Sequence, residues 1–293
     1  MRELVVISGK GGTGKTSVTA SLAVLAGDAV LADCDVDAAD LHLILSPQVR
    51  ERHDFFSGNE AVIRQADCVA CGGCLAHCRY GAVRMDGRGA GDAVFTIDPA
   101  ACEGCGVCVR FCPVGAIDFP ERTCGVWMVS GTRCGPMVHA RLGTAAENSG
   151  KLVSTVRREA ARIAGEQGRE RVIVDGPPGI GCPVIASVTG ASRVLVVTEP
   201  TVSGEHDLER VLALADHFKI PASVCVNKWD INPGVADRIE GRAREMGAEP
   251  AGRIRYDAGV TRAQLRGLSA VETDTPGAED IRALWRQLAL TEG

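Results

Sequence analysis

Two stretches of this 293-residue chain combine residue types and spacings that suit chemistry. The first runs Ser8-Gly9-Lys10-Gly11-Gly12-Thr13-Gly14-Lys15-Thr16, followed by Ser17. Gly9 to Thr16 fits the phosphate-loop spacing G-x-x-x-x-G-K-S/T. Glycines let the backbone wrap close to phosphate oxygens with its N–H groups turned inward. Lys15 is expected to reach the β- and γ-phosphates of a nucleotide, and Thr16 to ligate Mg²⁺. The second stretch holds eight of the thirteen cysteines: Cys68, Cys71, Cys74 and Cys78, then Cys102, Cys105, Cys108 and Cys112. The two runs share one spacing and lie 34 residues apart.

That spacing, C-x₂-C-x₂-C-x₃-C, is the bacterial ferredoxin run. In two-cluster ferredoxins the fourth cysteine of each run ligates the other cluster. One [4Fe–4S] cluster is thus expected on Cys68, Cys71, Cys74 and Cys112, and a second on Cys102, Cys105, Cys108 and Cys78. Zinc favours sets built from two C-x-x-C pairs, which suits the runs less well. Thirteen is an odd number, so complete disulfide pairing is impossible. Pro113 follows the fourth cysteine of the second run, while Arg79 holds that place in the first.

Carboxylates close the strands on either side of the loop. Asp33-Cys34-Asp35-Val36-Asp37 follows one apolar run, and Asp175 ends Val172-Ile173-Val174. Groups there can orient a water for attack on a γ-phosphate or hold Mg²⁺ through water. Asn227-Lys228-Trp229-Asp230 ends another strand. An asparagine there suits purine recognition, and Asp230 could pair with a guanine amino group. The tetrapeptide alone leaves ATP against GTP open.

Lys10, just after the first glycine, resembles the mark of the deviant Walker A class, the MinD/ParA family of ATPases, which includes the nitrogenase iron protein. The resemblance implies ATP as the nucleotide and a dimer that sandwiches it, with Lys10 reaching the partner's nucleotide. It implies Asp35 as the catalytic switch aspartate, with Asp33 second and Asp37 weakest. It makes Asp175 the Walker B carboxylate and Gly176-Pro177-Pro178-Gly179 the second switch. With the cysteine runs, the chain resembles MinD-superfamily P-loop ATPases with an inserted ferredoxin domain. Gly135–Leu142 and Glu147–Val153 also look like that group. The catalytic set is then Lys10, Lys15, Asp35 and Asp175. The nucleotide-binding set is Gly9 to Ser17 with Asn227, Lys228 and Asp230.

The elements that must position these groups read as follows. Glu3–Ser8 is a strand buried on both faces, and Lys15 to Ala26 is a helix. Ala29–Ala32 is a strand, so the start is a β-loop-α-β unit with a right-handed crossover. Strands are expected at Val126–Ser130, Arg171–Val174, Val194–Val197 and Ala222–Val226. Helices are expected at Lys151–Gln167, Glu205–Phe218, Val235–Met246 and Ala278–Leu290. The fold class is α/β: a mostly parallel P-loop sheet flanked by helices, with a bacterial-type ferredoxin inserted. The ATPase domain is expected at 1–57 and 120–293, the insertion at 58–119.

Lys+Arg of 32 against Asp+Glu of 37 gives a net charge of −5, with no basic excess for nucleic acid. Aromatics at 4% supply no stacking platform. No apolar run approaches the ~20 residues of a membrane helix. A cytoplasmic setting is expected, without nucleic acid or membrane as partner. Ile281, Leu284, Trp285 and Leu288 share a helical face, expected to pack on the core rather than on a membrane. Cys182 matches the offset of a cluster-ligating cysteine in the nitrogenase iron protein, but reads first as a small thiol. Cys124 and Cys134 flank Val126–Ser130 and offer a third metal site as the minor alternative to packing. His139 reads as a hydrogen-bonded side chain, and Cys34 and Cys225 as packing.

The expected cofactors are ATP, Mg²⁺ and two [4Fe–4S] clusters. The expected partners are a second copy or a paralogue across ATP, and a redox or small metallocluster-binding protein. Three functions follow from the resemblance: ATP-gated electron transfer, metallocluster assembly or carriage like the Mrp group, and MinD/ParA-like positioning with structural clusters.

Overall fold

A computed structural model describes residues 1–87, 93–143 and 149–290. The strands are β1 Arg2–Ser8, β2 Ala29–Asp33, β3 Gln48–Asn59, β4 Val62–Ile63, β5 Val83–Asp86, β6 Val94–Ile97 and β7 Ile117–Asp118, then β8 Glu121–Thr132, β9 Gly135–Leu142, β10 Arg171–Pro178, β11 Arg193–Thr198, β12 Ala222–Asn227 and β13 Glu249–Ile254. The helices are α1 Lys15–Ala26, α2 Leu41–Leu45, α3 Gly73–His77, α4 Val107–Arg110 and α5 Ser149–Glu166, then α6 Cys182–Val188, α7 Val202–His217, α8 Pro233–Glu245, α9 Ala258–Gln264 and α10 Pro276–Leu290. The chain divides into two compact units. One is Met1–His53, Val126–Leu142 and Ser149–Gly293; the other is Asp54–Gly125 and Gly143–Asn148.

The large sheet runs β13-β12-β11-β1-β10-β2-β9-β8-β3. Every pairing from β13 through β9 is parallel. β8 and β9 are neighbours joined only by Arg133-Cys134, a connection that antiparallel strands alone permit. Strands of the parallel part are buried on both faces, which is why they read as unbroken apolar runs. Leu4 and Val6 join a core with Leu22 of α1 and with Ile281, Leu284 and Leu288 of α10. Val5 and Ile7 turn to the opposite face, which α6 and α7 approach. The result is a helix–sheet–helix layering with the phosphate loop at the end of β1, the middle one of the seven parallel strands.

The expected helices and strands of the parallel part all form, with ends moved by a few residues. β3, β9 and β13 are additional. β3 is exposed from Gln48 to Asp54 on both faces, so it carries no alternation to read. β13 contains Pro250 and Gly252, which a sheet tolerates at its edge, and β13 is an edge strand. The Val126–Ser130 strand is the middle of the longer β8. Short helices α2, α6 and α9 also escape the periodicity.

The second unit contains two antiparallel pairs, β4 with β7 and β5 with β6. Helices α3 and α4 each start one residue after a left-handed glycine, Gly72 at φ 74° and Gly106 at φ 69°. The 34-residue repeat extends to the backbone. Positive φ recurs in the pairs Ala70/Gly104, Gly72/Gly106 and Gly81/Gly115. The two cysteine runs therefore share one local conformation. A small core of Ala61, Ile63, Cys74, Val83, Phe95 and Ile117 packs against further cysteines.

Among the described residues no helix is long and apolar enough to cross a membrane. The apolar face of α10 is instead buried: Ile281, Leu284 and Leu288 are each 1% exposed. Leu284→Ala should cost about 2–5 kcal/mol in denaturant unfolding, the usual range for a buried leucine. A cost near zero would remove α10 from the core.

Candidate functional site

The site grows out of strand register. In the parallel sheet Val6 pairs with Asp175, Asp175 with Asp33, and Asp33 with His139. Neighbouring strands lie about 4.8 Å apart. Two carboxylates therefore stand side by side at the C-terminal edge, where such folds bind ligands. Asp33 and Asp175 are both 0% exposed. Unneutralised, this pair would be strongly repulsive.

Lys15 supplies the opposite charge. Its Nζ donates to Asp175 Oδ1 at 2.8 Å and lies 3.4 Å from Asp35 Oδ2. Burial works against the ammonium, yet Asp175, Asp35 and Asp33 outweigh it and leave the Lys15 pKa raised. Burial and Asp175 push the Asp33 carboxyl well above its ordinary range, with Lys15 opposing. Burial likewise raises Asp35. Asp33 Oδ1 accepts from the Asp35 amide at 3.3 Å, while the buried Oδ2 has no partner. Thr16 Oγ1 donates to Asp175 Oδ2 at 2.9 Å. A hydroxyl, two buried carboxylates and an orphaned carboxylate oxygen thus converge, a donor set that fits a hard cation and its waters. Asp37 is exposed.

Helix α1 begins at Lys15, so its N-terminus faces the loop and adds partial positive charge for an anion. Gly14 has φ 87°, and a Cβ there would meet Asn227 Nδ2 at 2.3 Å. Only glycine allows the loop to turn this close to β12. A cleft of about 600 Å³ follows, lined by Gly11 to Val18, Asp35, Asn227, Lys228 and the strip Arg255-Tyr256-Asp257. That volume suits a nucleotide-sized ligand.

The strand-end tetrapeptide braces this cleft. Asn227 Nδ2 donates to the Thr13 carbonyl at 2.7 Å. Lys228 Nζ donates to the Gly12 carbonyl at 3.4 Å and pairs with Glu199. Asp230 is not among the lining residues; its Oδ1 accepts from the Tyr256 amide at 2.6 Å and so anchors the lining strip. Lys10 lies outside the cleft as well. Its Nζ donates to Ser203 Oγ at 3.1 Å and Thr201 Oγ1 at 3.3 Å, 3.5 Å from Glu199 Oε2. A Cβ on Gly9 would meet Asp207 Cβ at 2.3 Å, so this glycine lets the loop pass α7.

In the second unit the eight run cysteines line two separate cavities. Cys68, Cys71, Cys74 and Cys112 line one. Cys78, Cys102, Cys105 and Cys108 line the other. Ala116 donates its amide to Cys112 Sγ at 3.2 Å. Burial works against the Cys78 thiolate, but amides of Tyr80, Ala82, Val83 and Gly81 outweigh it and lower the thiol's pKa. Among the described residues no three His, Cys, Asp or Glu side chains are arranged to hold a single metal ion.

The remaining cysteines separate. Cys124 is buried near the start of β8 and donates to the Ser57 carbonyl at 3.1 Å, while Cys134 belongs to the core around α1. Cys34 and Cys225 are buried. Cys182 is exposed at the first residue of α6. Glu147 and Asn148 lie outside the described residues. His139 is hydrogen-bonded with Ser130 Oγ at 2.8 Å, and burial lowers its pKa to about 4.

Thr19 and Gln264 belong to the site without standing out in the sequence. Thr19 Oγ1 donates to Asp175 Oδ1 at 2.9 Å, and Gln264 Nε2 donates to Ser17 Oγ at 2.6 Å. Thr19 had a signal: it is four residues from Lys15, on the same face of α1. Gln264 is distant in sequence and had none.

A carboxyl whose folded pKa is raised stabilises the protein below about pH 3.8, its ordinary value. That contribution is lost as pH rises through the raised folded value. Asp33→Asn should therefore stabilise the nucleotide-free chain near neutral pH by about 1–2 kcal/mol. It should also flatten the decline of stability with pH in metal-free unfolding. Identical pH slopes for variant and parent would remove Asp33 as the source.

Residues 4–271 match the CobQ/CobB/MinD/ParA nucleotide binding domain. The chain is 35% identical over 233 residues to the uncharacterized protein MJ0578 of Methanocaldococcus jannaschii, covering 78% of this chain and 79% of that one. A second uncharacterized protein of that organism, MJ0579, is 26% identical over 241 residues, 79% of this chain and 83% of that one. Among solved structures, the MinC:MinD cell division complex of Aquifex aeolicus matches with TM-score 0.59 at 19% identity, over 99% of this chain and 96% of that one. The cell division ATPase MinD of Pyrococcus furiosus matches with TM-score 0.56 at 17% identity, over 99% of both chains. MinD of Pyrococcus horikoshii, solved with Mg-ADP, gives 0.56 at 18% identity, over 100% of this chain and 97% of that one. These likenesses concern the fold. Taken with the phosphate loop and the carboxylates around Lys15, the family match identifies this chain as a member of the CobQ/CobB/MinD/ParA family of P-loop nucleotide-binding ATPases.

Proposed function

We propose that this chain is a Mg²⁺-dependent ATPase, working as a dimer across ATP, that couples ATP binding and hydrolysis to electron transfer through two [4Fe–4S] clusters. The observation that carries the redox half is the partition of the eight run cysteines between two cavities. Each cavity takes three thiols from one run and the fourth from the other, the interlocked ferredoxin arrangement. Amides aimed at Cys78 favour the thiolate state that a cluster needs, and the Ala116 amide donates to Cys112 Sγ. We assign the ferredoxin-like insertion to residues 58–119 and the ATPase domain to 1–57 and 120–293.

The ATPase half follows from the carboxylate group. Lys15 would exchange its carboxylate partners for the β- and γ-phosphates, with the amides of α1 holding the same oxygens. Thr16 and Asp175 would hold the Mg²⁺ and its water, and Asp35 would orient the attacking water. Mg²⁺ supplies charge neutralisation on the phosphates. Lys10 would leave Ser203 and Thr201 for the nucleotide of the second subunit. Bound clusters would supply one-electron carriers. From Asp33–Asp40 the chain passes through α2 and β3 into the cysteine-bearing unit, so a nucleotide-driven shift of that segment acts on the insertion's own tether.

Anaerobically purified protein should contain about eight iron atoms per chain, four per cluster. Cys68→Ser and Cys112→Ser should deplete the same cluster, and Cys102→Ser the other, by electron paramagnetic resonance after reduction. Loss of the same signal from Cys68→Ser and Cys78→Ser would overturn the interlocked assignment. Lys15→Ala should abolish hydrolysis and any effect of ATP on cluster reoxidation. If ATP leaves reoxidation by the co-purifying partner unchanged in the parent protein, electron gating fails. Transfer of iron to an apo-acceptor on ATP addition would instead favour a carrier.

A further inference from the structure

Glu199 carries a charge that the proposed chemistry does not use. It follows β11 directly, and β11 lies between β1 and β12, the strands that lead to Lys10 and Lys228. Ile7 pairs with Val196, and Val226 with Thr198, so the three strands end nearly level. The side chains complete what the register begins. Glu199 Oε1 accepts from Lys228 Nζ at 2.5 Å, and Oε2 lies 3.5 Å from Lys10 Nζ. One carboxylate, 16% exposed, thus serves two ammoniums that are each 32% exposed.

The two lysines are held differently. Lys228 has φ 56°, its amide donates to Asn227 Oδ1 at 3.0 Å, and its Nζ also reaches the Gly12 carbonyl at 3.4 Å. It is built into the wall of the cleft. Lys10 donates to Ser203 Oγ and Thr201 Oγ1, two neutral hydroxyls at the start of α7. A helix N-terminus carries partial positive charge and disfavours a cation. Hydroxyls in that field hold an ammonium weakly, and Glu199 supplies the opposing negative charge. Lys10 therefore rests where it does in the nucleotide-free subunit largely because of Glu199.

We propose that Glu199 is a positioning residue for Lys10, holding it against its own subunit until nucleotide and a second subunit draw it away. The exchange trades one ion pair for another, so Glu199 raises the ATP concentration at which the dimer forms. The proposal rests on the role given above to Lys10 at the partner's nucleotide. A pair this exposed shifts an equilibrium by about two- to fivefold.

The test is titration of the full chain with Mg²⁺ and a non-hydrolysable ATP analogue, with dimer measured by analytical ultracentrifugation. Glu199→Gln keeps the size of the side chain and removes its charge. It should lower the analogue concentration for half-maximal dimer by about two- to fivefold. In steady-state hydrolysis the apparent KM should fall by more than kcat changes. The shift should narrow as salt rises, because the pair is partly exposed. Binding of a fluorescent ATP analogue, at protein concentrations where the chain is monomeric, should change less than dimer formation does. Lys228→Met removes the second pair and should not reproduce the shift. In a Lys10→Ala background Glu199→Gln should have no effect on the dimer. Dimer formation by Glu199→Gln at the same or a higher analogue concentration than the parent overturns the proposal. So does an equal shift in the Lys10→Ala background, which would assign the effect to Lys228. If Lys10→Ala alone dimerises and hydrolyses like the parent, the dimer role of Lys10 and this proposal fall together, whereas a failure confined to the Glu199 variants leaves that role standing.

Discussion

One buried ammonium holds the nucleotide end of this fold together. Asp33 and Asp175 face each other in register, and Asp35 follows two residues on. Three carboxylates in so small a volume cannot all be ionised without a cation among them. Lys15 provides that cation from the first residue of α1, the position the phosphate loop delivers. The loop, the first helix and three strand ends are thus tied by one charge balance. The same balance is poised to change, because phosphates would compete for Lys15 and a divalent cation would replace it among the carboxylates.

Strand order explains why this arises at a single edge. β1 lies between β10 and β11, and β2 lies beyond β10. The loop, the Asp175 strand and the Asp33 strand are consequently consecutive neighbours. A different order would separate the two aspartates by a strand and leave Lys15 only one of them. Asn227 and Lys228 enter from β12 and support the loop's carbonyls. The cleft therefore has a charged wall from β10 and β2 and a bracing wall from β12.

Much of this is legible in the sequence, and the remainder is hidden for physical reasons. Apolar runs ending in Asp33, Asp175 and Asn227 announce strands buried on both faces, and those strands carry the site. β3 is not legible because its residues from Gln48 to Asp54 face solvent on both sides. β13 is masked by Pro250 and Gly252. The motif names Asp230 as a base-reading residue; in the nucleotide-free structure its carboxylate accepts from the Tyr256 amide, and it is not among the residues lining the cleft. A sequence gives residue type at a strand end; it does not give which way the next loop turns. Glu199 is the converse case. No motif singles it out, yet it lies between Lys10 and Lys228.

The second unit poses a question of stability that bears on its chemistry. Among the described residues its main apolar cluster has six buried members, one of them a cysteine. A unit of this size with so few buried side chains usually depends on a staple, a disulfide set or a metal centre. Thiols that line two separate cavities, three from one run and one from the other, are poorly arranged to pair as disulfides within each run. An inorganic cluster in each cavity would bind both runs at once, because each needs a cysteine from the other. The folding energy of this unit and its capacity for electron transfer would then come from the same eight sulfur contacts, so clusters held in this way would be integral to the unit and ill suited to release as cargo.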